Sequence, residues 1–263
     1  MSLSMLDNRR HVARERFKLG VRAALGRRNL DLVRDPYPGR VARALTLLGV
    51  DTVLDVGANL GQFGAALRTH GFRGRLLSFE PLPDAYRLLE RRARRDGAWT
   101  AVNEAVGADR GTVVLRVAAN SHSSSLLDMT DTHLRAAPDS CTVARIEVPV
   151  TTVEEVVATH GIQPGRVLLK IDTQGYESQV LRGAGDFLSD FAAIQLELSY
   201  VCLYEGQEMA EALISRLHTA GFGLFALDAS LHDPGTGRLL QADALFAARR
   251  SFADGGPAWQ DGS

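Results

Sequence analysis

The chain has 263 residues, 45% of them hydrophobic and 23% charged, and its formal net charge is −1. This length and composition predict a globular domain with a sizeable core, and so small a net charge gives no support for nucleic-acid binding. No apolar run reaches about 18 residues and the N-terminus lacks the apolar core of a signal peptide, so we expect neither stable membrane insertion nor secretion. Two cysteines without the spacing of a metal site favour a cytoplasmic location.

The first 35 residues differ in character from the rest. Residues 1–35 are basic, and Phe17, Val21 and Leu30 give them a thin apolar stripe. We expect a helical arm that packs on the core, covers a cofactor or joins two copies into a homodimer. A membrane-surface helix is the alternative, because basic amphipathic helices bind there. The main domain is expected over residues 36–250 and a disordered tail over residues 251–263.

The most informative stretch is Val53–Gly64, with the sequence VLDVGANLGQFG. Its first residues are apolar and β-branched, which is typical of a buried parallel strand, and a helical pattern begins at Phe63. Between them, Gly57 and Gly61 bracket a turn whose backbone can come close to a ligand. The order of strand, glycine turn and helix presents backbone amides to a ligand of nucleotide size.

The acid in this stretch distinguishes between possible ligands. The dinucleotide fingerprint G-x-G-x-x-G is not met, and Asp55 would repel a pyrophosphate at close range. Asp55 would instead attract a cation, such as the amino end of S-adenosylmethionine (SAM). The pattern therefore favours SAM over a dinucleotide, and a turn that binds no ligand is the remaining alternative. The residues expected to contact the cofactor here are Asp55, Gly57, Ala58, Asn59, Gly61, Gln62 and Phe63.

The next two predicted strands offer further cofactor contacts. Gly74–Phe79 is apolar and is followed by an acid, which in nucleotide-binding folds accepts hydrogen bonds from the ribose. A helix is predicted over Leu82–Gly97, and a third apolar run over Trp99–Val106 ends where the adenine edge would lie. The candidate contacts of ribose and adenine are Glu80, Pro81, Glu104 and Ala105.

An insertion over about residues 111–150 interrupts the alternation of strands and helices, because it is too long for an ordinary connection. Thr112–Val117 predicts a strand, Asn120–Ser140 is polar and irregular, and Arg145–Val150 alternates like an edge strand. Long loops over a cofactor site commonly carry substrate contacts. The candidates for substrate binding in this insertion are His122, Ser124 and Ser125.

The remaining periodicity predicts an α/β domain. We predict further helices over Val41–Leu48, Val153–His160, Glu177–Leu181 and Met209–Ala220. We predict further strands over Val167–Ile171, Ala193–Leu198, Phe222–Leu227 and Leu245–Ala248.

Six segments resemble, in order, the FkbM family of SAM-dependent methyltransferases: DVGANLGQFG, SFEPLPDAYRLL, NEAVG, SHSSSLL, LLKIDTQGYESQVLRGA and IQLELS. The resemblance runs from about Val53 to Ala248, and its most specific motif includes Lys170 and Asp172. It implies a class I, Rossmann-like fold with a mostly parallel seven-stranded sheet and helices on both faces. It also implies SAM as cofactor and methylation of a hydroxyl, often on a sugar or polyketide. His133–Ser140 resembles members that methylate sugars of glycolipids.

Methyl transfer to a hydroxyl requires alignment, exclusion of water and a base. Asp172 follows the fourth core strand, so it could orient or deprotonate the hydroxyl or hold the cofactor amine; capping the next helix is the alternative. Glu197 is costly to bury unpaired, which indicates a role in the site. His133 has the pKa of a base near neutrality, with a surface histidine as the alternative. Glu177 is predicted to bind substrate or to pair with Lys170 or an arginine.

Several functions remain open at this stage. A Mg²⁺-assisted reaction could use Asp172 and Glu197, but no D-x-D-N-like cluster is present and we expect no metal. Carboxylate or amine methylation is the alternative within enzymes, and a non-catalytic scaffold with a SAM fold is the alternative outside them. The expected partner is a small-molecule or glycoside acceptor, since the chain has no basic face with aromatic residues for nucleic acid.

Overall fold

The computed structural model describes residues 36–120 and 123–252. The strands in this part are β1 (Thr52–Val56), β2 (Arg75–Phe79), β3 (Trp99–Val102), β4 (Ala105–Val106), β5 (Gly111–Ala118), β6 (Thr142–Thr151), β7 (Val167–Ile171), β8 (Ala193–Ser199), β9 (Phe222–His232) and β10 (Leu239–Ala248). The α-helices are α1 (Tyr37–Leu47), α2 (Gln62–Thr69), α3 (Pro83–Ala93), α4 (Asp131–Ala136), α5 (Val153–Thr159), α6 (Glu177–Arg182) and α7 (Ala210–Thr219). The predicted N-terminal arm and most of the predicted tail lie outside the described residues.

Seven strands form the main sheet in the order β3-β2-β1-β7-β8-β10-β9. The neighbours from β3 to β8 run parallel, whereas β10 is antiparallel to both β8 and β9. The prediction of a mostly parallel seven-stranded sheet is therefore confirmed. Because the parallel strands end at one edge of the sheet, the residues that follow them are brought together there.

Helices cover both faces of the main sheet, which explains why its central strands are mostly apolar. On one face, Val53 of β1 belongs to the same buried cluster as Leu45 of α1. On the other face, Leu169 of β7 belongs to the cluster that contains Leu213 of α7. In the described part of the chain, no helix is both long enough and apolar enough to span a bilayer.

The insertion forms a second sheet in the order β4-β6-β5. Over Arg145–Val150, β6 pairs with β5 throughout but with β4 only at Val150, so most of this stretch is an edge, as predicted. Its alternating pattern follows from one buried face and one solvated face. The predicted irregular segment also contains α4, which begins where the Thr130 hydroxyl accepts a hydrogen bond from the His133 amide.

The apolar run at Trp99–Val106 is divided between the two sheets. Asn103 interrupts it and donates hydrogen bonds from its side chain to the carbonyls of Glu80 and Pro81. The chain then leaves the main sheet, and Ala105 pairs with β6. The segment around Glu104 is thereby held beside the end of β2.

Candidate active site

A cavity of about 410 Å³ lies at the carboxyl ends of β1, β2, β7 and β8, and its size suits a small-molecule ligand. Most of the predicted site residues meet there: Gly57, Ala58, Asn59, Gln62, Phe63, Glu80, Pro81, Glu104, Ala105, Ser124, Ser125, Asp172 and Glu197 line it. The predicted residues Asp55, Gly61, His133 and Glu177 are not among the lining residues, and His122 lies outside the described residues.

The glycine turn is fixed by contacts within the protein. Gly57 has a φ of 76°, and its amide donates to the Phe79 carbonyl at 3.0 Å. A Cβ at Gly57 would lie 1.8 Å from the carbonyl oxygen of Asp172, so this position is closed to any side chain. Gly61, with a φ of 77°, lies against Leu89 and Trp99 instead of the cavity. Glycine is therefore required at both positions by packing of the turn, which sequence reasoning had attributed to the ligand.

A buried ion pair supports the turn from below. Asp55 is fully buried, and its Oδ1 lies 3.1 Å from the Nζ of Lys170. The same ammonium lies 3.3 Å from Asp172 Oδ2 and donates to the carbonyl of Gly57 at 3.2 Å. Burial by itself would lower the pKa of Lys170, but Asp55 and Asp172 outweigh it and hold that pKa above its usual range. The cation that Asp55 attracts is thus Lys170, and not a group of the cofactor.

Glu80 is positioned by two backbone amides. Its Oε2 accepts from the amide of Asn59 at 2.7 Å and its Oε1 from the amide of Leu82 at 2.8 Å. Burial raises the pKa of Glu80 to about 7, against the lowering effect of these two hydrogen bonds. The carboxyl group is therefore held at the cavity wall, where it can accept hydrogen bonds from a ribose.

We expect Glu80→Ala to weaken SAM binding by about 1–3 kcal/mol, because charge-assisted hydrogen bonds to the ribose are lost. Calorimetric titration with S-adenosylhomocysteine measures this effect without turnover. Asp84→Ala removes an exposed acid from the following helix and serves as the matched control. An unchanged affinity in Glu80→Ala would show that the ribose is bound by other residues.

Two linked carboxylates line the cavity at the ends of β7 and β8. Gln174 Nε2 donates to Asp172 Oδ1 at 3.1 Å and to Glu197 Oε2 at 2.8 Å, and Gln241 Nε2 donates to the same oxygen of Glu197 at 2.8 Å. Burial, reinforced by the charges of Asp172 and Glu177, raises the pKa of Glu197 well above its usual range. Within residues 36–120 and 123–252, no group of three or more metal-ligating side chains is arranged to hold an ion.

Gln174 joins the insertion to the end of β7, a role that sequence reasoning missed. It has a φ of 56°, its Oε1 accepts from the hydroxyl of Tyr204 at 2.7 Å, and its carbonyl accepts from Ser125 Oγ at 2.6 Å. Ser124 Oγ accepts from the amide of Ala118 at 3.1 Å. The motif KIDTQGYE indicated that this segment matters, but no local signal predicted its partner 30 residues away.

Glu177 stabilises the loop after β7 from outside the cavity. Its Oε1 accepts hydrogen bonds from the amide and hydroxyl of Thr173 and from the amide of Gly175. Burial raises the pKa of Glu177 to about 7, again against the effect of its backbone hydrogen bonds. Glu177 does not line the cavity, and Lys170 pairs with Asp55 and Asp172 instead.

The structure does not bring His133 into the cavity. Its side chain is buried, both ring nitrogens are without a hydrogen-bond partner, and its ring centroid lies 4.9 Å from that of Tyr204. Burial lowers the pKa of His133. The first turn of α4 directs this side chain into the protein, so the geometry favours a packing role over the predicted base.

We expect His133→Leu to leave turnover within about twofold of wild type and to keep or raise stability by about 1–2 kcal/mol, since two unpaired polar atoms are removed from the interior. Initial rates and urea unfolding measure the two effects. His232→Leu, at an exposed position, is the control. A large loss of turnover with intact folding would restore His133 as the base.

The sheet order, the glycine turn and the acids at the strand ends define a Rossmann-like domain with a ligand site at the carboxyl ends of its strands. Residues 55–224 match the profile of a family described as the methyltransferase FkbM domain. This match covers more than half of the chain, so the protein belongs to the FkbM methyltransferase family, and its cofactor is SAM. A search of curated protein sequences found no match.

Solved structures provide more distant similarities. Methyltransferase FkbM from Methylobacillus flagellatus KT is 16% identical over 74% of this chain and 44% of its own, with a TM-score of 0.43. The SAM-bound magnesium protoporphyrin IX methyltransferase ChlM from Synechocystis PCC 6803 is 12% identical over 80% and 77%, with a TM-score of 0.42. SAM-bound fibrillarin from Aeropyrum pernix is 16% identical over 80% and 76%, with a TM-score of 0.41. The chain spans less than half the length of the first of these structures.

Proposed function

We propose that this protein transfers a methyl group from SAM to a hydroxyl of a sugar, in a glycolipid or glycosylated natural product, or of a polyketide. The observation that carries the proposal is the linked pair of carboxylates, Asp172 and Glu197, in the same cavity as the glycine turn and Glu80. Two carboxylates at the acceptor side can orient a hydroxyl and accept its proton.

The residues of the chain divide this work between them. Bound SAM supplies an electrophilic methyl group on its sulfonium. Glu197 accepts the hydroxyl proton, because its raised pKa makes it a stronger base than an ordinary carboxylate. Asp172 lies at the exposed side of the pair, fixed by Lys170 and Gln174, and orients the hydroxyl oxygen. The proton on Glu197 then returns to solvent when the product leaves.

The charge of the cavity supports a hydroxyl acceptor over a carboxylate or a nucleic acid. Five acids line the cavity, namely Glu80, Glu104, Asp172, Glu197 and Asp243, and Lys170 is buried beside Asp172. These acids would repel a carboxylate or phosphate group of an acceptor, whereas a hydroxyl group can donate a hydrogen bond to them. The insertion contributes Leu115, Ser124, Ser125 and Leu126 to the lining, a mixture of apolar and hydroxyl groups that suits a glycoside. We further propose that the protein is cytoplasmic and that the N-terminal arm joins two copies into a homodimer.

Incubation with methyl-labelled SAM and an extract of the source organism tests the proposal. We expect one labelled product whose fragmentation places the methyl group on a hydroxyl oxygen, and a rate of labelling about 10²- to 10⁴-fold lower when the Glu197→Gln variant replaces the wild type. Label on a base-labile ester or on nitrogen would assign the activity to carboxylate or amine methylation. Absence of SAM binding at millimolar concentration would instead identify a scaffold protein.

A further inference from the structure

One side of the cavity holds polar groups that neither the fold nor the proposed chemistry uses. The hydroxyl of Tyr37, at the start of α1, and the Oε1 of Gln195, in β8, are buried without a hydrogen-bond partner. Both residues line the cavity, as does Asp243 of β10. The Asp243 carboxylate is half-buried, and the charged groups that act on it most strongly are Asp172 and Lys170. Buried polar groups left unpaired are costly, so this arrangement indicates that a ligand supplies the partners.

The strand register brings these three residues to one place. Asp243 pairs with Glu197, and Leu245 pairs with Gln195, so Asp243 and Gln195 project from the same face of the sheet as diagonal neighbours. Tyr37 belongs to the cluster that packs on this face, and the charge of Asp243 is the strongest neighbouring charge acting on its hydroxyl. The three side chains therefore face a common volume.

The chemistry of the cluster selects the ligand. A carboxylate, an amide oxygen and a phenol oxygen are together rich in acceptors, and an ammonium group has three N–H donors and no acceptor. Burial, followed by the charge of Asp172, raises the pKa of Asp243 to about 6, so the carboxylate is still ionised at neutral pH. Lys170 does not fill this place, because its ammonium is engaged by Asp55, Asp172 and the Gly57 carbonyl.

The position of the cluster separates it from the cofactor. The glycine turn and Glu80 follow β1 and β2, whereas β10 is the third strand from β1 in the sheet order. At about 4.8 Å per strand, Asp243 lies roughly 14 Å and Gln195, on β8, roughly 10 Å across the sheet from β1. Because Glu197 is the proposed base, the methyl acceptor is expected to bind on the side of Asp172 where Glu197 lies.

We propose that Tyr37, Gln195 and Asp243 form a subsite for a protonated amine carried by the acceptor, as in an amino sugar. This inference rests on the proposed function. The amine is recognised by this subsite and is not methylated, because Asp172 and Glu197 hold the reacting hydroxyl. The acceptor class is thereby narrowed from sugars in general to sugars or glycosides that bear a free amino group.

Calorimetric titration of the protein saturated with S-adenosylhomocysteine tests the subsite. Glucosamine, glucose and N-acetylglucosamine are the probes, since they share a ring and differ in the amine. At neutral pH we expect glucosamine to bind about 10- to 100-fold more tightly than the other two, the range expected for hydrogen bonds to charged groups. Asp243→Asn should abolish this preference, and Tyr37→Phe should reduce it. Asp228→Asn, which changes the neighbouring acid of β9 that pairs with Arg40, should retain it.

Two cofactor analogues show whether Asp243 binds an amine of the acceptor or the ammonium of the cofactor. S-adenosylhomocysteine carries an amino-acid ammonium, whereas methylthioadenosine lacks it. If Asp243→Asn weakens only the binding of S-adenosylhomocysteine, the ammonium belongs to the cofactor and the proposal is overturned. Equal binding of the three sugars to the wild type, or a preference that survives in Asp243→Asn, also overturns it. Failure of the wild-type protein to bind S-adenosylhomocysteine would contradict the proposed function itself.

Discussion

Glu197→Gln is expected to reduce turnover by about 10²- to 10⁴-fold, the usual contribution of a general base, while the affinity for S-adenosylhomocysteine stays within about twofold. Glutamine keeps the size of the side chain and can still accept from Gln174 and Gln241 through its amide oxygen. It cannot accept the hydroxyl proton. Single-turnover rates measure the loss, and Glu211→Gln, on the exposed side of α7, is the control.

The pH dependence of wild-type turnover provides an independent test of Glu197 as the base. A carboxylate acts as a base only when it is ionised, and burial raises the pKa of Glu197 above its usual range. Turnover should therefore fall as the pH drops through this raised pKa, at a higher pH than for an ordinary glutamate. Asp172→Asn should also lower turnover but keep this acid limb, since it changes orientation rather than the base. Full turnover in Glu197→Gln would transfer the role to another residue.

The parts of the site that follow a strand end could be predicted from sequence. Gly57, Glu80 and Asp172 each come directly after a buried apolar run, and parallel strands end at one edge of the sheet. Local pattern therefore sufficed to bring these residues to the cavity. The same pattern predicted the strands and helices of the main sheet, because its buried strands are mostly apolar, but it did not predict β4 as a separate strand or α4.

The direction of side chains could not be predicted in the same way. Asp55 stands within β1 rather than after it, so the alternation of the strand buries it beside Lys170 of β7. His133 lies on a helix of six residues, too short to show a periodicity, and its burial depends on Tyr204 from a distant segment. Gln174 and Tyr204 likewise meet only through tertiary packing. Contacts between segments far apart in sequence decide which acids and histidines reach the cavity.

Gly57→Ala is expected to lower the free energy of unfolding by about 3 kcal/mol or more and to abolish SAM binding. Two physical effects add at this position. A φ of 76° is strained for any residue with a Cβ, and that Cβ would lie 1.8 Å from the carbonyl oxygen of Asp172. Since backbone is in the way, β1 and β7 would have to separate at their ends. Urea unfolding and calorimetry with S-adenosylhomocysteine measure the two consequences.

Gly49→Ala separates the strain from the collision. Gly49 has a φ of 65°, close to that of Gly57, but a Cβ there would have no atom within 4 Å. Its substitution should cost only the backbone strain of about 1–2 kcal/mol and leave binding intact. If Gly57→Ala unfolds like Gly49→Ala yet fails to bind S-adenosylhomocysteine, the glycine is required by the ligand rather than by packing against β7. If it unfolds far more easily than Gly49→Ala, the ends of β1 and β7 can pack together only when residue 57 has no side chain. The cofactor turn then depends on the close approach of Gly57 to the backbone of Asp172.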